Sequence, residues 1–256
     1  MAGELLVESD AGVVRLTLNR PERRNALSHA LLSELERALE PIAADQTARV
    51  VVLGARGSAF CSGHDLAEMV GRTEGEYRDL FELCSRVMLG LRRLPQPVIA
   101  RVHGVATAAG CQLVAACDLA VASTEARFAT SGINYGLFCA TPGVPVSRNV
   151  SRKRAFEMLF TGEFVDAETA RDWGLVNRVV VPSELDAEVQ RLAAAIIEKP
   201  AAVCAAGKAL FYEQIEARLA QAYAAASNSI TRNMLGDDAA EGVGAFIEKR
   251  KPRWDR

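Results

Sequence analysis

The sequence contains no Cys-x-x-Cys pair, which excludes the common structural-zinc and thioredoxin-like patterns. It has no basic excess: 30 Lys+Arg against 32 Asp+Glu leave a net charge of -2, unlike a chain that coats nucleic acid. No stretch of about 18 apolar residues occurs, because Arg, Asp or Glu interrupts every candidate, so no membrane span is expected. The opening MAGELLVESDAG has no basic segment followed by an apolar one, so no signal peptide is expected. No Gly/Ser/Pro-rich linker, solenoid repeat or low-complexity tract divides the chain. What remains is a 256-residue chain, half of it hydrophobic, long enough for one large domain or two small ones. Its six cysteines (Cys61, Cys84, Cys111, Cys117, Cys139 and Cys204) read as reduced thiols in a cytosolic-type compartment.

Strand and helix signals alternate through the first half. Val13 to Leu18 alternates at period two and ends in turn-prone Asn19-Arg20-Pro21. Ser28 reads as an N-cap for a helix carrying Leu31, Leu32, Leu35 and Leu39, closed by Pro41. Arg49 to Leu53 reads as a buried strand, Glu76 to Leu94 as a long helix, and Val98 to Val102 as a further strand. Past Pro142 only Asn177 to Val181 is strand-like; Ser183–Glu198, Ala201–Arg232 and Asp238–Arg250 are Ala-rich helical windows. The pattern predicts an α/β core with largely covered sheets, residues 1–195, continuing without a linker into a helical region, 196–256.

Two glycine-bounded loops carry the chemistry. In Ala59-Phe60-Cys61-Ser62-Gly63-His64-Asp65-Leu66, a strand runs into a loop and then a predicted helix start. Such a turn points successive backbone N–H groups outward, which is one way to build an oxyanion site. An ordinary strand-to-helix turn capped by Asp65 is the plainer alternative. In Gly104-Val105-Ala106-Thr107-Ala108-Ala109-Gly110-Cys111-Gln112-Leu113, small residues at Ala108, Ala109 and Gly110 let a ligand approach a helix N-terminus. Tight helix–sheet packing would call for the same residues. The segment is not Gly-x-Gly-x-x-Gly, so a dinucleotide reading is weak.

Taken together, these loops resemble the oxyanion hole of the crotonase (enoyl-CoA hydratase/isomerase) superfamily. The resemblance runs along the chain in order: Arg20-Pro21-Glu22-Arg23-Arg24-Asn25-Ala26-Leu27, FCSGHDL, HGVATAAGCQL, Met158-Leu159-Phe160-Thr161-Gly162-Glu163, Trp173-Gly174-Leu175-Val176 and Ala245 to Pro252. SGHDL, GLFCATPG and the KRKPRW tail look closest to one branch of it. The resemblance implies a spiral of ββα units, a C-terminal helical trimerisation region, and a homotrimer or dimer of trimers. It implies a fatty acyl-CoA or enoyl-CoA thioester as substrate, within fatty acid metabolism. Coenzyme A enters as part of that substrate, with no separate cofactor and no metal. The two N–H donors would be those of His64 and Ala109. Backbone around Arg24–Ala26 and at Ser62, Gly63, Asp65 and Leu66 would line the CoA moiety, while Gly110, Ser131, Gly132 and Cys139 would lie by the acyl group. Phe246 and Lys249 would complete the CoA site from the C-terminal helix. Lys249, Arg250, Lys251 and Arg253 suit CoA phosphates, or form a solvated helix end. The compartment implied is the cytoplasm, or the mitochondrial matrix in a eukaryote.

The sequence leaves the hydratase pattern at both glutamates. The resemblance puts Gln112 at the first position and Gly132 at the second. A carboxamide orients water but moves no proton near pH 7, and glycine offers no side chain. General acid–base catalysis is worth roughly 10²–10⁴ per group, so hydration should be very weak or absent, and Gln112→Glu with Gly132→Glu should raise it in part, since a glutamate at Gly132 must fit a loop shaped for glycine. Glu68 is a substitute base or a solvent-facing helix residue. His64 also offers its imidazole, and superfamily decarboxylases acting on methylmalonyl-CoA share an S-x-G-H-D stretch, although Cys139 stands where they place a tyrosine. Cys139 as a nucleophile lacks a visible histidine partner. Asn134 and Tyr135 offer polar contacts, and His29 and His103 read as structural. Three readings stay open: an enolate-stabilising enzyme, a non-catalytic acyl-CoA binder, and a decarboxylase.

Overall fold

The computed structural model describes residues 3–254. The chain opens with a hairpin, β1 (Leu5–Asp10) against β2 (Val13–Leu18), joined through Ala11 and Gly12, both at positive φ (47° and 82°). Positive φ at both turn residues matches the right-handed twist of the flanking strands. Then follow α1 (His29–Ala44), β3 (Val50–Ala55), β4 (Ala59–Cys61), α2 (Glu74–Arg93), β5 (Val98–Val102), β6 (Val105–Thr107), α3 (Ala109–Ala116), β7 (Leu119–Ser123) and β8 (Arg127–Ala129). The remainder is α4 (Ala140–Asn149), α5 (Arg152–Thr161), β9 (Val165–Asp166), α6 (Ala167–Trp173), β10 (Arg178–Val180), α7 (Leu185–Ile197), α8 (Ala201–Glu216), α9 (Leu219–Met234) and α10 (Asp237–Ile247).

Six strands form one sheet in the order β1-β2-β3-β5-β7-β10, parallel from β2 onward. Four short strands form a second, β4-β6-β8-β9. Each winding of the chain lays one strand in each sheet: β3 then β4, β5 then β6, β7 then β8. The expected α/β spiral of ββα units is therefore present. In the first winding the second strand shrinks to one residue, Leu27, bridged to His64. The run Val50 to Leu53 shows why the first sheet reads as continuous apolar sequence. Val51 and Leu53 pack toward the face holding Leu31, Leu35, Leu83 and Val87, whereas Val50 and Val52 pack on Leu185, Val189 and Ala193 of α7. Both faces are covered, so alternation disappears.

Several boundaries differ from the sequence reading. Pro41 lies inside the last turn of α1 rather than closing it. The window 201–232 is two helices, broken at Ala217 and Arg218. Strands β1, β6, β7, β8 and β9 carried no recognised signal. The first loop leads into a single 3-10 turn, Leu66–Met69, whose N-cap Asp65 accepts from the Ala67 N–H at 3.2 Å. Among the described residues no helix is long and apolar enough to cross a membrane.

Candidate functional site

Leu27 organises the first loop. Its N–H donates to the Gly63 carbonyl at 2.7 Å, and its carbonyl accepts from the Asp65 N–H at 3.0 Å. In a parallel bridge of this kind the opposed residue turns its own N–H to the other side. The His64 N–H thus faces away from Leu27, and no acceptor among the described residues takes it. The second loop aims a matching donor. Ala109 is the first residue of α3, its N–H has no intrahelical acceptor, and no side chain caps it. Ala108 before it sits at φ 50°, ψ -120°, a region that L-residues rarely adopt, held by its N–H on the Ala129 carbonyl at 3.0 Å.

Two glycines allow the loops to meet. Gly63 lies at φ 93°, and a Cβ there would stand 2.9 Å from Ala108 Cβ and 3.4 Å from Ala109 N. The backbone beside one donor therefore lies against the other donor. Gly110 permits a closer approach still, since a Cβ would fall 2.1 Å from the Cys61 carbonyl oxygen. The frame behind the first loop is polar. Asn25, fully buried, accepts from Arg20 N and donates to the carbonyls of Arg56 and Ala59 at 2.7 and 2.8 Å. Arg20 donates to the Ala26 carbonyl at 2.6 Å and pairs with Glu4 and with Asp65 at 3.0 and 3.1 Å. Asp65 is thereby a positioning residue, with its side chain held by Arg20 and the Ala67 N–H.

The expected acyl-side residues lie on α3 and on the segment that follows β8. Gln112 lies one turn along α3 from Ala108, is 3% exposed, and leaves Oε1 buried without a partner. The His64 ring is likewise unpartnered at both nitrogens and packs edge-on against Phe81 of α2, centroids 5.4 Å apart. Burial pushes its pKa down to about 4, so the imidazole is neutral at pH 7. Ser131 Oγ and Thr107 Oγ1 share a hydrogen bond of 2.7 Å across the ends of β6 and β8. Gly132 donates its N–H to Cys139 Sγ at 3.3 Å, and burial pushes that thiol's pKa up, so Cys139 is no thiolate. A Cβ at Gly132 would stand 2.5 Å from the Leu137 carbonyl and 2.8 Å from Cys139 Sγ. A glutamate at this position therefore has no room, against the expectation that it would restore activity.

Other expected residues are placed differently. Glu68 accepts from the His29 N–H at 2.8 Å and so caps α1 rather than standing free. Arg24, in the left-handed region at φ 51°, and Leu66 are exposed, Ala26 is buried, and the Ser62 N–H bonds the Arg24 carbonyl at 3.1 Å. Phe246 and Lys249 face solvent at the end of α10, and no hydrogen bond or ion pair among the described residues ties them to either loop. Arg250 is committed to Glu241 and Glu248, which removes it from the free cations of the tail. The sequence reading did not single out Thr107, Phe81, or the anchoring roles of Arg20 and Asn25. Only the Arg-Asn-Ala-Leu string hinted at the last.

The enoyl-CoA hydratase/isomerase family model matches residues 8–256. Enoyl-CoA hydratase domain-containing protein 3, mitochondrial, of Rattus norvegicus is 46% identical over 244 residues, 95% of this chain and 81% of the relative. The 2,3-dehydroadipyl-CoA hydratase of Escherichia coli is 35% identical over 97% of each chain. Among solved structures, an enoyl-CoA hydratase of Mycobacterium smegmatis superposes with a TM-score of 0.98 at 58% identity, covering 99% of both chains. Human enoyl-CoA hydratase domain-containing protein 3 gives 0.95 at 44%, covering 98% of this chain and 100% of the other. The branch suggested by SGHDL, GLFCATPG and KRKPRW is the one that the rat and human domain-containing protein 3 relatives represent. With the spiral of ββα units, the two apposed loops and this agreement along nearly the whole sequence, the chain belongs to the enoyl-CoA hydratase/isomerase family.

Proposed function

We propose that the protein binds a fatty acyl-CoA or enoyl-CoA thioester and holds its carbonyl oxygen between the N–H groups of His64 and Ala109. The observation that carries this reading is the pair of unsatisfied N–H groups on two loops in van der Waals contact. Donors fixed before reaction stabilise charge developing on the thioester oxygen as an enolate forms, each worth about 10²–10³ in rate. The phosphate end of the CoA would meet Lys249, Lys251 or Arg253. The site selects against true hydration. Water must lose a proton and the α-carbon must gain one, while Gln112, Gly132 and a protonated Cys139 offer no exchanging group near pH 7. Free cysteines throughout the described chain support a reducing compartment, cytoplasm or mitochondrial matrix. Exposed Leu219, Tyr223, Leu235, Phe246 and Ile247 on the last helices support assembly as a trimer or dimer of trimers, which sedimentation reads directly.

Incubation of purified protein with crotonyl-CoA, a longer enoyl-CoA and methylmalonyl-CoA, followed by product analysis, tests the reading. We expect hydration of crotonyl-CoA close to background, and a rise on Gln112→Glu alone. Gly132→Glu should lower stability instead of adding to that rise, because its Cβ meets the backbone of Leu137. Robust wild-type hydration would overturn the proton bookkeeping. Release of carbon dioxide from methylmalonyl-CoA would replace the reading with a decarboxylase.

A further inference from the structure

A cavity of about 340 Å³ beside α3 ends in a cluster of charge that the oxyanion chemistry does not use. Three of the segments lining it change character in the same direction: α2 from Ser85 to Arg92, α3 and the turn after it from Gln112 to Asp118, and α4 from Thr141 to Arg148. Between these ends stand the apolar Met88, Ala115 and Val144. The three charged residues gather in one place. The Arg92 guanidinium lies 4.2 Å over the ring of Tyr212 on α8, and the Tyr212 hydroxyl donates to Asp118 at 2.6 Å. Arg92 and Arg148 both reach Glu216 at the end of α8.

Positive charge is in surplus there. Asp118 is neutralised within the fold by Lys208 at 2.6 Å, and also accepts from Tyr212 and from the Val98 N–H. Glu216 meets both guanidiniums through a single oxygen, Oε1, at 3.0 Å from Arg92 and 3.4 Å from Arg148. One carboxylate thus balances one of two cations. Each arginine spends one further nitrogen on a carbonyl, Arg92 on Tyr212 at 3.3 Å and Arg148 on Val144 at 3.0 Å. Other N–H groups on both take no partner among the described residues. The Tyr212 ring covers the face of Arg92, so its edge donors are held ready for a planar anion.

We propose that Arg92 and Arg148 form a specificity-determining anion site for the far end of the acyl chain. The preferred ligand class is then an ω-carboxyacyl-CoA, the mono-thioester of a dicarboxylic acid. The proposal rests on the acyl-CoA reading above. A guanidinium edge matches a carboxylate with two parallel N–H···O bonds, whereas a plain hydrocarbon tail ending here would desolvate the cations without pairing them. Chain length follows from the helix. Ala116 lies seven residues along α3 from the Ala109 donor, about 10 Å at a rise of 1.5 Å per residue. Three bonds of an extended chain span at most about 3.3–3.6 Å, so about eight carbons lead from the thioester to the arginines.

Calorimetric titration of the full-length protein with octanoyl-CoA and the mono-CoA thioester of octanedioic acid provides the test, with butanoyl-CoA and succinyl-CoA as a short pair. The eight-carbon carboxylate should bind about tenfold tighter than octanoyl-CoA. That gain should shrink with added NaCl, because the Arg92 and Arg148 side chains are 27% and 50% exposed. Succinyl-CoA should gain nothing over butanoyl-CoA, since four carbons fall short of the site. Arg92→Met and Arg148→Met should each lower the eight-carbon ratio, and Glu216→Gln, which removes the competing carboxylate, should raise it. Ion pairs that only fasten α8 would leave the ratio unchanged in all three variants, which overturns the proposal. The wild-type ratios alone decide the point if a variant fails to fold. Equal binding of the two eight-carbon thioesters, or an equal gain at four and eight carbons, overturns the proposal while leaving the acyl-CoA reading intact. Failure to bind any of the four thioesters overturns both.

Discussion

Replacing Gly110 by alanine tests the architecture of the site with one added carbon. An ideal Cβ would lie 2.1 Å from the Cys61 carbonyl oxygen and 2.7 Å from its carbon. Ordinary carbon–oxygen approach is about 3.3 Å, so β4 and α3 must part by about 1 Å. Two effects compete. Alanine gains about 1 kcal/mol over glycine in a helix, while overpacking against an immovable group costs typically 1–3 kcal/mol. The obstacle is backbone in the second sheet, with no rotamer to relieve it, so the cost wins. A net loss of about 1–2 kcal/mol lowers Tm by several degrees in a chain of this size. The larger consequence is functional: the displaced helix carries the Ala109 N–H, and a 1 Å misplacement can cost on the order of 10²-fold. Thermal unfolding and butanoyl-CoA affinity measured on one preparation separate the two effects. Gly75→Ala is the control, since nothing lies within 4 Å of its Cβ and it should leave Tm equal or raised. A Gly110→Ala protein with unchanged Tm and unchanged affinity would refute the claim that this close approach holds the donors together.

The buried imidazole predicts a pH dependence. His64 is neutral in the folded protein with a pKa near 4, against the usual 6.5 when unfolded, so the unfolded chain binds more protons between those values. Its stabilising contribution is complete above about pH 6.5 and declines as pH falls toward 4; at pH 5 about 2 kcal/mol should be lost. Denaturant titrations at pH 7 and pH 5 should show this loss in wild type, reduced by that amount in His64→Phe; parallel losses would refute it. A buried ion pair helps to clasp the C-terminal helices to the core. Lys208, 7% exposed, pairs with Asp118 at 2.6 Å, and Tyr212 donates to the other oxygen of Asp118 at 2.6 Å. Burial pulls the Lys208 pKa down and Asp118 opposes that shift. Asp118→Ala should cost about 3–5 kcal/mol by leaving the buried ammonium without a counter-charge, on the carbonyls of Leu91 and Gln96 alone, with earlier proteolytic cleavage near α8; a loss under about 1 kcal/mol would show that the ion pair is dispensable.

The long helices, the covered strands Val13–Leu18 and Val98–Val102, and the two small-residue loops are legible in the sequence because each rests on local information. A cap residue such as Ser28, apolar spacing, and runs of Val bounded by turns need no distant partner. Even the absence of carboxylates at Gln112 and Gly132 is visible once the loop motifs identify those positions. The second sheet is not legible. Its strands β4, β6 and β8 have three residues each, too few for any period, and exist because neighbouring windings of the spiral supply their hydrogen bonds. Leu5–Asp10 is an exposed edge strand with hardly any apolar pattern to reveal it. Only the tertiary structure decides that Gly110 meets Cys61, that Gly132 has no space for a side chain, and that Glu68 caps α1. It also decides that His64 and Gln112 stand unpartnered. These facts depend on atoms far apart in sequence brought within a few ångströms, and no local propensity encodes that distance. The sequence, through its loop motifs, nominated the N–H groups of His64 and Ala109 as candidate donors; packing decided that the loops carrying them lie against each other at Gly63 and Ala108.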